Sequence, residues 1–190
     1  MTSASADADA VAPGPWIETA RLILRPTALS DFARWAEMMA DEEAARYIGG
    51  VQPRAVAWRG MISMAGAWAL TGVAMFSVIE RETGQWLGRI GPWQPEGWPG
   101  PEVGWSLHPD AQGKGYALEA ATATMDYAFD ILGWTEVIHT IDPDNRASCL
   151  LAERLGSYNQ GRTRLPEPYQ DAIVDRWGQS REQWTARARG

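Results

Sequence analysis

Two hydrophobic periods alternate along the chain, and their order predicts an α/β protein. Seven short apolar runs bounded by turn residues have strand character. They lie at residues 21–26, 73–80, 85–90, 102–107, 136–141, near Tyr158 and at 171–177. The four residues 81–84 between the second and third runs include Gly84, which predicts an antiparallel hairpin there.

Helical spacing of apolar residues predicts four helices. One starts at Ser30 as its N-cap and ends before Gly49, and the others span residues 53–72, 117–132 and 145–155. Because a helix connects the runs at 102–107 and 136–141, we expect these two strands to pair in parallel. Residues 91–101 hold four prolines and three glycines, which predicts a loop that cannot join a central strand.

Composition indicates one folded domain. The chain has 190 residues, of which 45% are hydrophobic and 22% charged. The opening segment is rich in Ala, Ser and Asp, so we predict a disordered tail over residues 1–14 and a single domain over 15–190. The acidic net charge of -7 argues against a nucleic-acid partner.

Several further properties favour a cytoplasmic protein. No run of about 20 apolar residues predicts a membrane span, and the first residues have no secretory pattern. Cys149 is the sole cysteine, so no internal disulfide and no CxxC metal knuckle can form. We therefore expect a reducing compartment, with no membrane partner and no metal.

A glycine-bearing turn over residues 107–117 is the most informative segment. It connects a predicted strand to a predicted helix, where free backbone N–H groups and the helix dipole favour an anion such as a pyrophosphate. Neither GxxxxGK[ST] nor GxGxxG is present. On these grounds alone, an ordinary strand-to-helix turn explains the segment equally well.

The sequence Gln112-Gly113-Lys114-Gly115-Tyr116-Ala117 resembles the Q/R-x-x-G-x-G/A motif with which GNAT N-acetyltransferases hold the CoA pyrophosphate. Three further blocks resemble the ribosomal-protein branch of that superfamily, the RimJ/RimL type. They are residues 18–26, 102–109 and 142–156, the last with an Asn-x-x-Ser helix start and a closing Leu-Gly. The blocks follow the family order over residues 16–178. Two departures are Ser157, where the family often has Phe, and the tryptophan-rich loop at residues 93–98.

The resemblance implies a GNAT fold. Its mixed, mostly antiparallel sheet has about six or seven strands with a central parallel pair that splays, and about four helices flank it. It also implies direct transfer of an acetyl group from acetyl-CoA, the cosubstrate, to a primary amine on a protein N-terminus or small molecule. The residues expected to bind CoA are Leu107, Gln112, Gly113, Lys114, Gly115, Tyr116, Ala117 and Asn145.

Two residues are candidates for catalysis, because an amine must lose a proton to attack and a leaving thiolate benefits from a donor. The resemblance places Ser148 beside the CoA sulfur, although a serine in a first helical turn can also bond backbone alone. It also places a backbone N–H near residues 105–107 against the thioester carbonyl. Glu102 is a candidate general base, acting directly or through water, or else an exposed carboxylate at a strand start. Asn145 either hydrogen-bonds the pantetheine arm or caps its helix.

The remaining chemistry-bearing residues favour structural roles. His108 and His139 lack metal-ligand spacing, and Cys149 lies in a small, apolar helical stretch typical of an inert thiol. Trp93 and Trp98, in a Pro/Gly loop, are expected to line the acceptor site.

Three other functions are compatible with the sequence. An aminoglycoside-type antibiotic N-acetyltransferase would use an acidic pocket to attract a polycation. A non-catalytic acyl-CoA sensor would keep the phosphate loop without turnover, and an interaction module using exposed tryptophans would bind no CoA. A homodimer is also compatible, because residues 180–189 extend beyond the last predicted strand; the same segment also fits a frayed helix.

Overall fold

The structure, a computed structural model, describes residues 10–187 as one mixed sheet flanked by helices. The strands are β1 Ile17–Glu18, β2 Leu22–Arg25, β3 Phe76–Glu80, β4 Trp86–Trp93, β5 Glu102–Leu107, β6 Glu136–Ile141, β7 Tyr158–Thr163 and β8 Val174–Ser180. The helices are α1 Phe32–Ala40, α2 Glu42–Ala45, α3 Arg54–Thr71, α4 Tyr116–Asp126, α5 Arg146–Leu155 and α6 Arg181–Arg187. The predicted α/β class and mostly antiparallel mixed sheet are confirmed, with one two-residue strand and two short helices in addition.

The strand order is β1-β2-β3-β4-β5-β6-β8-β7, and every pairing is antiparallel except that of β5 with β6. That parallel pairing has one register pair, Glu102 with Ile138. The predicted parallel pair is therefore confirmed, and the two strands separate after their first rung. The gap between them lies at the centre of the sheet.

Two side chains occupy the rung at which the parallel ladder stops. A regular parallel ladder would next join the Thr140 N–H to the Val103 carbonyl. Instead, the Thr140 N–H donates to Glu102 Oε1 at 3.3 Å, and the Val103 carbonyl accepts from His139 Nδ1 at 2.7 Å. Both backbone groups are thus satisfied without the other strand, which stabilises the separation of β5 and β6.

The core beneath the sheet is built from aromatic and aliphatic side chains. Helix α1 packs on α3 and against β4, whereas α4 packs against β4 and β5 and on α5. Trp35, Phe76 and Phe129 are among the largest fully buried side chains. Helix α3 buries one face, formed by Ala57, Met61, Met64 and Trp68.

Strand β4 is longer than the sequence predicts. It continues through Trp93, so the prediction of a loop over residues 91–101 is wrong for its first three residues. The reason is local to the sheet edge: β3 starts at Phe76 opposite Ile90, so β4 beyond this point has a neighbour only on the β5 side. Pro92 is tolerated there as it is on an edge strand.

Other bounds differ as well, and the helix predicted to end before Gly49 is interrupted at Asp41, which separates α1 from α2. A single 3-10 turn, Leu29–Asp31, precedes α1, so Ser30 is not its N-cap. The helix predicted over 117–132 ends as α4 at Asp126 and continues as one π-helical turn, Tyr127–Ile131. The last strand starts at Val174 and runs three residues past the predicted end.

The chain ends contact the body of the domain where the structure describes them. Ala12 donates its N–H to the Thr27 carbonyl at 3.0 Å, so residues 10–14 of the predicted tail follow the domain surface; residues 1–9 lie outside the described residues. In α6, Trp184 packs on Phe129 with ring centroids 6.2 Å apart and so contacts its own chain. Within residues 10–187, the longest and most apolar helix still falls short of what a membrane crossing requires.

Candidate active site

A cavity of about 430 Å³ opens where β5 and β6 separate. Its walls include the sheet, residues 46–50 after α2, and part of the segment 165–173 before β8. The predicted residues that line it are Glu102, Asn145, Ser148, Trp93 and Trp98. The fold therefore brings together side chains that the sequence places on three different elements.

Glu102 is a buried carboxyl, with 6% of its surface exposed. It accepts hydrogen bonds from the Trp98 indole and from the backbone and hydroxyl of Thr140. Burial raises its pKa from 4.5 to about 7, against the hydrogen bonds, which lower it. The alternative of an exposed carboxylate is therefore wrong, and a proton can move on or off this group near neutral pH.

Ser148 lies in the first turn of α5 and contacts β5 through its hydroxyl. Its Oγ accepts a hydrogen bond from the Trp105 indole at 3.0 Å. A hydroxyl carries one proton of its own. Because the indole occupies an acceptor position, that proton stays available for a ligand. Sequence reasoning missed this contribution of Trp105, because the partners are 43 positions apart.

Asn145 caps α5. Its Oδ1 accepts the Ser148 backbone N–H at 3.1 Å. The side-chain NH2 of Asn145 makes no hydrogen bond with the part of the chain described, and the residue lies at the cavity wall. The structure therefore establishes the cap and leaves two donors for a ligand.

His139 has a structural role in this arrangement. Its Nδ1 must carry the proton that it donates to the Val103 carbonyl, so Nε2 accepts from the Ser157 hydroxyl at 2.9 Å. Ser157 in turn accepts from Gln179. Burial lowers the pKa of His139 to about 4, so the ring is neutral at physiological pH. Ser157, a departure from the family pattern, is thus the partner of this ring.

The glycine-bearing turn leads directly into α4. Gly113 and Gly115 have φ values of +73° and +82°, a region that favours glycine. Gly115 is the N-cap and has no side chain to accept a hydrogen bond, so the first-turn N–H groups stay free of a cap. A Cβ at Gly113 would meet no atom within 4 Å. Open space therefore faces a helix N-terminus, which fits a pyrophosphate.

The side chains of the turn hold its backbone in place. Gln112 Nε2 donates to the Leu107 carbonyl at 3.3 Å, and the Tyr116 hydroxyl donates to Glu80. Lys114 has an exposed side chain, which adds positive charge without a fixed partner among residues 10–187. The backbone of residues 113–117 thus remains the ligand-facing part.

Arg21 fastens this turn to α4, and sequence reasoning missed it. Its guanidinium donates to Glu119 at 2.7 Å and to the Lys114 carbonyl at 3.0 Å, and it lies 4.6 Å over the Tyr116 ring. The basic residue is visible in the first predicted strand. Its partners are more than 90 positions away, so no local pattern indicates them.

A backbone N–H of β5 points into the gap. His108 donates its N–H to the Leu87 carbonyl at 2.8 Å, on the β4 side. Backbone N–H groups of successive residues in a strand point alternately to its two neighbours. The N–H of Trp105, three residues before His108, therefore points to the β6 side, beyond the last parallel rung. This position lies within the predicted segment 105–107.

Trp93 and Trp98 both line the cavity. Their rings pack edge to face with centroids 6.4 Å apart.

Burial raises the pKa of the Cys149 thiol, which disfavours a nucleophilic thiolate. Within residues 10–187, no three His, Cys, Asp or Glu side chains are grouped to hold a metal ion.

Comparison with known proteins identifies the family. A family model described as an acetyltransferase (GNAT) domain matches residues 21–157. The uncharacterized N-acetyltransferase p20 of Bacillus licheniformis is 30% identical over 160 residues, 83% of this chain and 90% of that protein. The uncharacterized protein YkkB of Bacillus subtilis is 36% identical over 89 residues, and the match spans only 52% of its length.

Solved structures share the fold. An acetyltransferase from Agrobacterium tumefaciens is 29% identical with a TM-score of 0.78, over 88% of this chain and 95% of that one. A ribosomal-protein-S5-alanine acetyltransferase from Vibrio fischeri, at 17% identity and a TM-score of 0.67, covers 90% of this chain and 98% of its own. The second likeness concerns the fold alone. Together with the family match over residues 21–157, these likenesses show that the protein belongs to the GNAT family and is an acetyltransferase.

Proposed function

We propose that this protein is an N-acetyltransferase that transfers the acetyl group of acetyl-CoA directly to a primary amine in a ternary complex. One observation carries the proposal: Glu102 and Ser148 line the same cavity, at the gap between β5 and β6. Family members use acetyl-CoA, and a gap in the sheet is where a thioester can reach both side chains.

Glu102 is the general base of this proposal. An alkylammonium has a pKa near ~10 and must lose a proton before its nitrogen can attack. A buried carboxyl with a pKa of about 7 is matched to this task at neutral pH. The proton passes from the ammonium to Glu102, directly or through one water.

Ser148 and the Trp105 N–H stabilise the charges that develop next. The nitrogen lone pair forms the new C–N bond, and the carbonyl oxygen becomes negative beside the Trp105 N–H. As the intermediate collapses, the C–S bond breaks and the sulfur keeps its electron pair. The second proton of the attacking nitrogen passes through water to the sulfur side, so that the amide is neutral and CoA leaves as the thiol. The Ser148 hydroxyl, with its proton unclaimed by Trp105, donates to that sulfur.

The turn before α4 holds the pyrophosphate in this proposal. Backbone N–H groups of Gly113, Gly115, Tyr116 and Ala117 bind its oxygens, and Lys114 adds positive charge. Gln112 and Leu107 act through the bond that fixes the turn. Asn145 binds the pantetheine arm through its amide donors.

The cavity favours a small or extended amine over a polycation. Among the residues described, its wall holds two arginines, Arg46 and Arg89, beside the two carboxyl groups of Glu102 and Asp142, so it has no acidic excess that would attract a polycationic aminoglycoside. A protein N-terminus and a small-molecule amine both remain acceptors under this proposal.

Calorimetric titration with acetyl-CoA is the first test. We expect micromolar binding that Gly115→Val abolishes, because a branched side chain at this φ displaces the turn and crowds Arg21. The matched control is Gly133→Val, with a similar φ of +70° and open space around it, near the far end of the same helical segment. Acetyl-pantetheine, which lacks the pyrophosphate, should bind weakly and without sensitivity to Gly115.

CoA release over a panel of primary amines is the second test. Binding of acetyl-CoA without release for any amine would favour the non-catalytic sensor. An absence of binding in the wild type would leave only the fold and favour the interaction module.

A further inference from the structure

Arg89 is a half-buried cation that has neither a hydrogen bond nor an ion pair from its side chain within residues 10–187. It lies in β4 and lines the cavity, and its Nε is buried with no hydrogen bond to residues 10–187. The other arginines near this site differ: Arg25 pairs with Asp31 at 2.6 Å, and Arg46 pairs with Glu43 at 2.8 Å.

The contacts that Arg89 does make leave its donors free. Its guanidinium carbon lies 4.7 Å over the Trp35 ring, a cation–π contact that uses one face of the plane. The N–H groups lie at the edges of that plane and still lack acceptors. Burial lowers the pKa of Arg89 to about 10, so the group remains charged at neutral pH. A desolvated cation without an anion is costly, which favours binding of an anion from solution.

The sheet register places Arg89 on the same side as Glu102. Arg89 lies opposite Ser106, Gly91 opposite Gly104, and Trp93 opposite Glu102. Paired residues point to the same face, and so do alternate residues along a strand. The two charged residues are therefore four positions apart along the strands, about 13 Å between their Cα levels.

Glycine occupies both positions between them. The space over these glycines is occupied by Met75, whose Cε lies 2.5 Å from a Cβ placed at Gly104. The Met75 side chain is unbranched and lines the cavity, so it is the group on this face that lies between the guanidinium and the Glu102 carboxyl. At Gly91 a Cβ would come within 2.8 Å of the Met75 and Phe76 backbone, so only glycine fits. The result is one cavity with a proton acceptor at one end and a free cation at the other.

We propose that Arg89 binds a carboxylate of the acceptor, so that the amine acetylated by this protein is an amino acid, α or ω, with its amino group at Glu102. A guanidinium binds a carboxylate through two parallel N–H donors, which fixes orientation as well as charge. The inference rests on the proposed function and narrows its acceptor class. A free small amino acid presents both groups within one cavity, whereas a protein N-terminus has its main-chain carboxylate replaced by an amide.

Matched acceptor pairs test the inference. We would measure kcat/KM by CoA release for α- and ω-amino acids and for the corresponding carboxamides. For at least one pair, the wild type should prefer the acid at least tenfold. Arg89→Met should bring the acid-to-amide ratio close to one, and Arg89→Lys should give an intermediate ratio, since it keeps charge without the paired donors. The loss should appear mainly in KM for the acid.

Arg46→Met is the control variant, because it removes a second cavity cation that already pairs with Glu43. It should preserve the acid-to-amide ratio. Retained acetyl-CoA affinity shows that each variant is folded. If Arg89→Met does not fold, the acid-to-amide ratio of Arg89→Lys provides the test. The assignment to Arg89 would be overturned if Arg46→Met abolished the preference for the acid while Arg89→Lys and Arg89→Met retained it.

A binding readout separates this inference from the proposed function. Calorimetry with N-acetyl amino acids and their amides, in the presence of CoA, requires no turnover. Tighter binding of an acid than of its amide, lost in Arg89→Met, supports the inference even without activity. Equal turnover of acids and amides by the wild type would overturn the inference and leave the acetyltransferase intact. No CoA release with any amine would overturn the proposed function, and product binding alone would then decide the role of Arg89.

Discussion

The Nδ1 atom of His139 lies 2.7 Å from the Val103 carbonyl oxygen, where a regular parallel ladder would place a backbone N–H. Glu102 satisfies the opposite half of the same rung by accepting the Thr140 N–H. The candidate base therefore has two tasks, holding the strands apart and facing the cavity. The opening of the sheet and the placement of Glu102 are one structural feature.

Replacement of His139 by Phe should destabilise the protein by about 2–4 kcal/mol at pH 7. The ring packing on Trp105 survives, but the Val103 carbonyl and the Ser157 hydroxyl each lose a buried partner. The measurement is urea unfolding. Ser157→Ala, which removes only the Nε2 bond, should cost less.

Stability should also fall in acid through His139. Its pKa is lowered from 6.5 to about 4 in the folded protein, so its contribution is present above pH 6.5 and lost as pH falls through 4. His139→Phe should remove this part of the pH dependence. An unchanged acid limb in the variant would mean that other groups produce it.

The acidic limb of kcat/KM should report Glu102. Because the carboxylate is the active form, the rate should rise with pH and level off above about 7. Trp98→Phe removes a donor that stabilises the carboxylate, so its pKa should rise and the limb should move up by about one pH unit. Glu102→Gln should abolish the limb and lower kcat. A shift to lower pH in Trp98→Phe would contradict the assigned role.

Ser148→Ala should reduce kcat by about 10²-fold, the low end of the range for proton donors, while acetyl-CoA affinity changes little. Trp105→Phe keeps the serine but removes the indole donor that orients it, so a smaller loss is expected. Stopped-flow measurement of CoA release would separate the two. Unaltered turnover in Ser148→Ala would discard its role as donor to sulfur.

Asn145 offers a clean separation of cap from ligand contact. Asn145→Asp keeps an oxygen for the Ser148 N–H and removes the amide donors, so stability should hold while acetyl-CoA binds more weakly. Asn145→Ala loses both and should also cost about 1 kcal/mol of stability. Thermal unfolding with and without acetyl-CoA checks both variants. Equal acetyl-CoA affinity in wild type and Asn145→Asp would limit Asn145 to the cap.

Local spacing predicts the parts of the site that lie within one element. Gly113 and Gly115 indicate a turn with left-handed residues before a helix, and Asn145 indicates a cap three residues before Ser148. These features depend on neighbours within one turn of chain, so a single sequence carries them. The prediction of a loop from residue 91 failed because a strand can contain Pro92 only where it lacks a neighbour on one side. Whether β4 has such a neighbour depends on where β3 begins, which the local sequence around Pro92 does not indicate.

The sequence by itself determined the order of the main strands and helices, the glycine-bearing turn before α4, the Asn145 cap of α5 and the candidate residues Glu102 and Ser148. Only the tertiary structure decided that Glu102 is buried with a raised pKa, that Trp105 reaches Ser148, and that Arg89 lacks a hydrogen-bond or ion-pair partner for its side chain among residues 10–187. The physical reason is that turns and helix caps are formed by hydrogen bonds between residues a few positions apart, so a short stretch of sequence contains all the groups involved. Desolvation and the pairing of charges depend instead on which distant segments the sheet brings into contact.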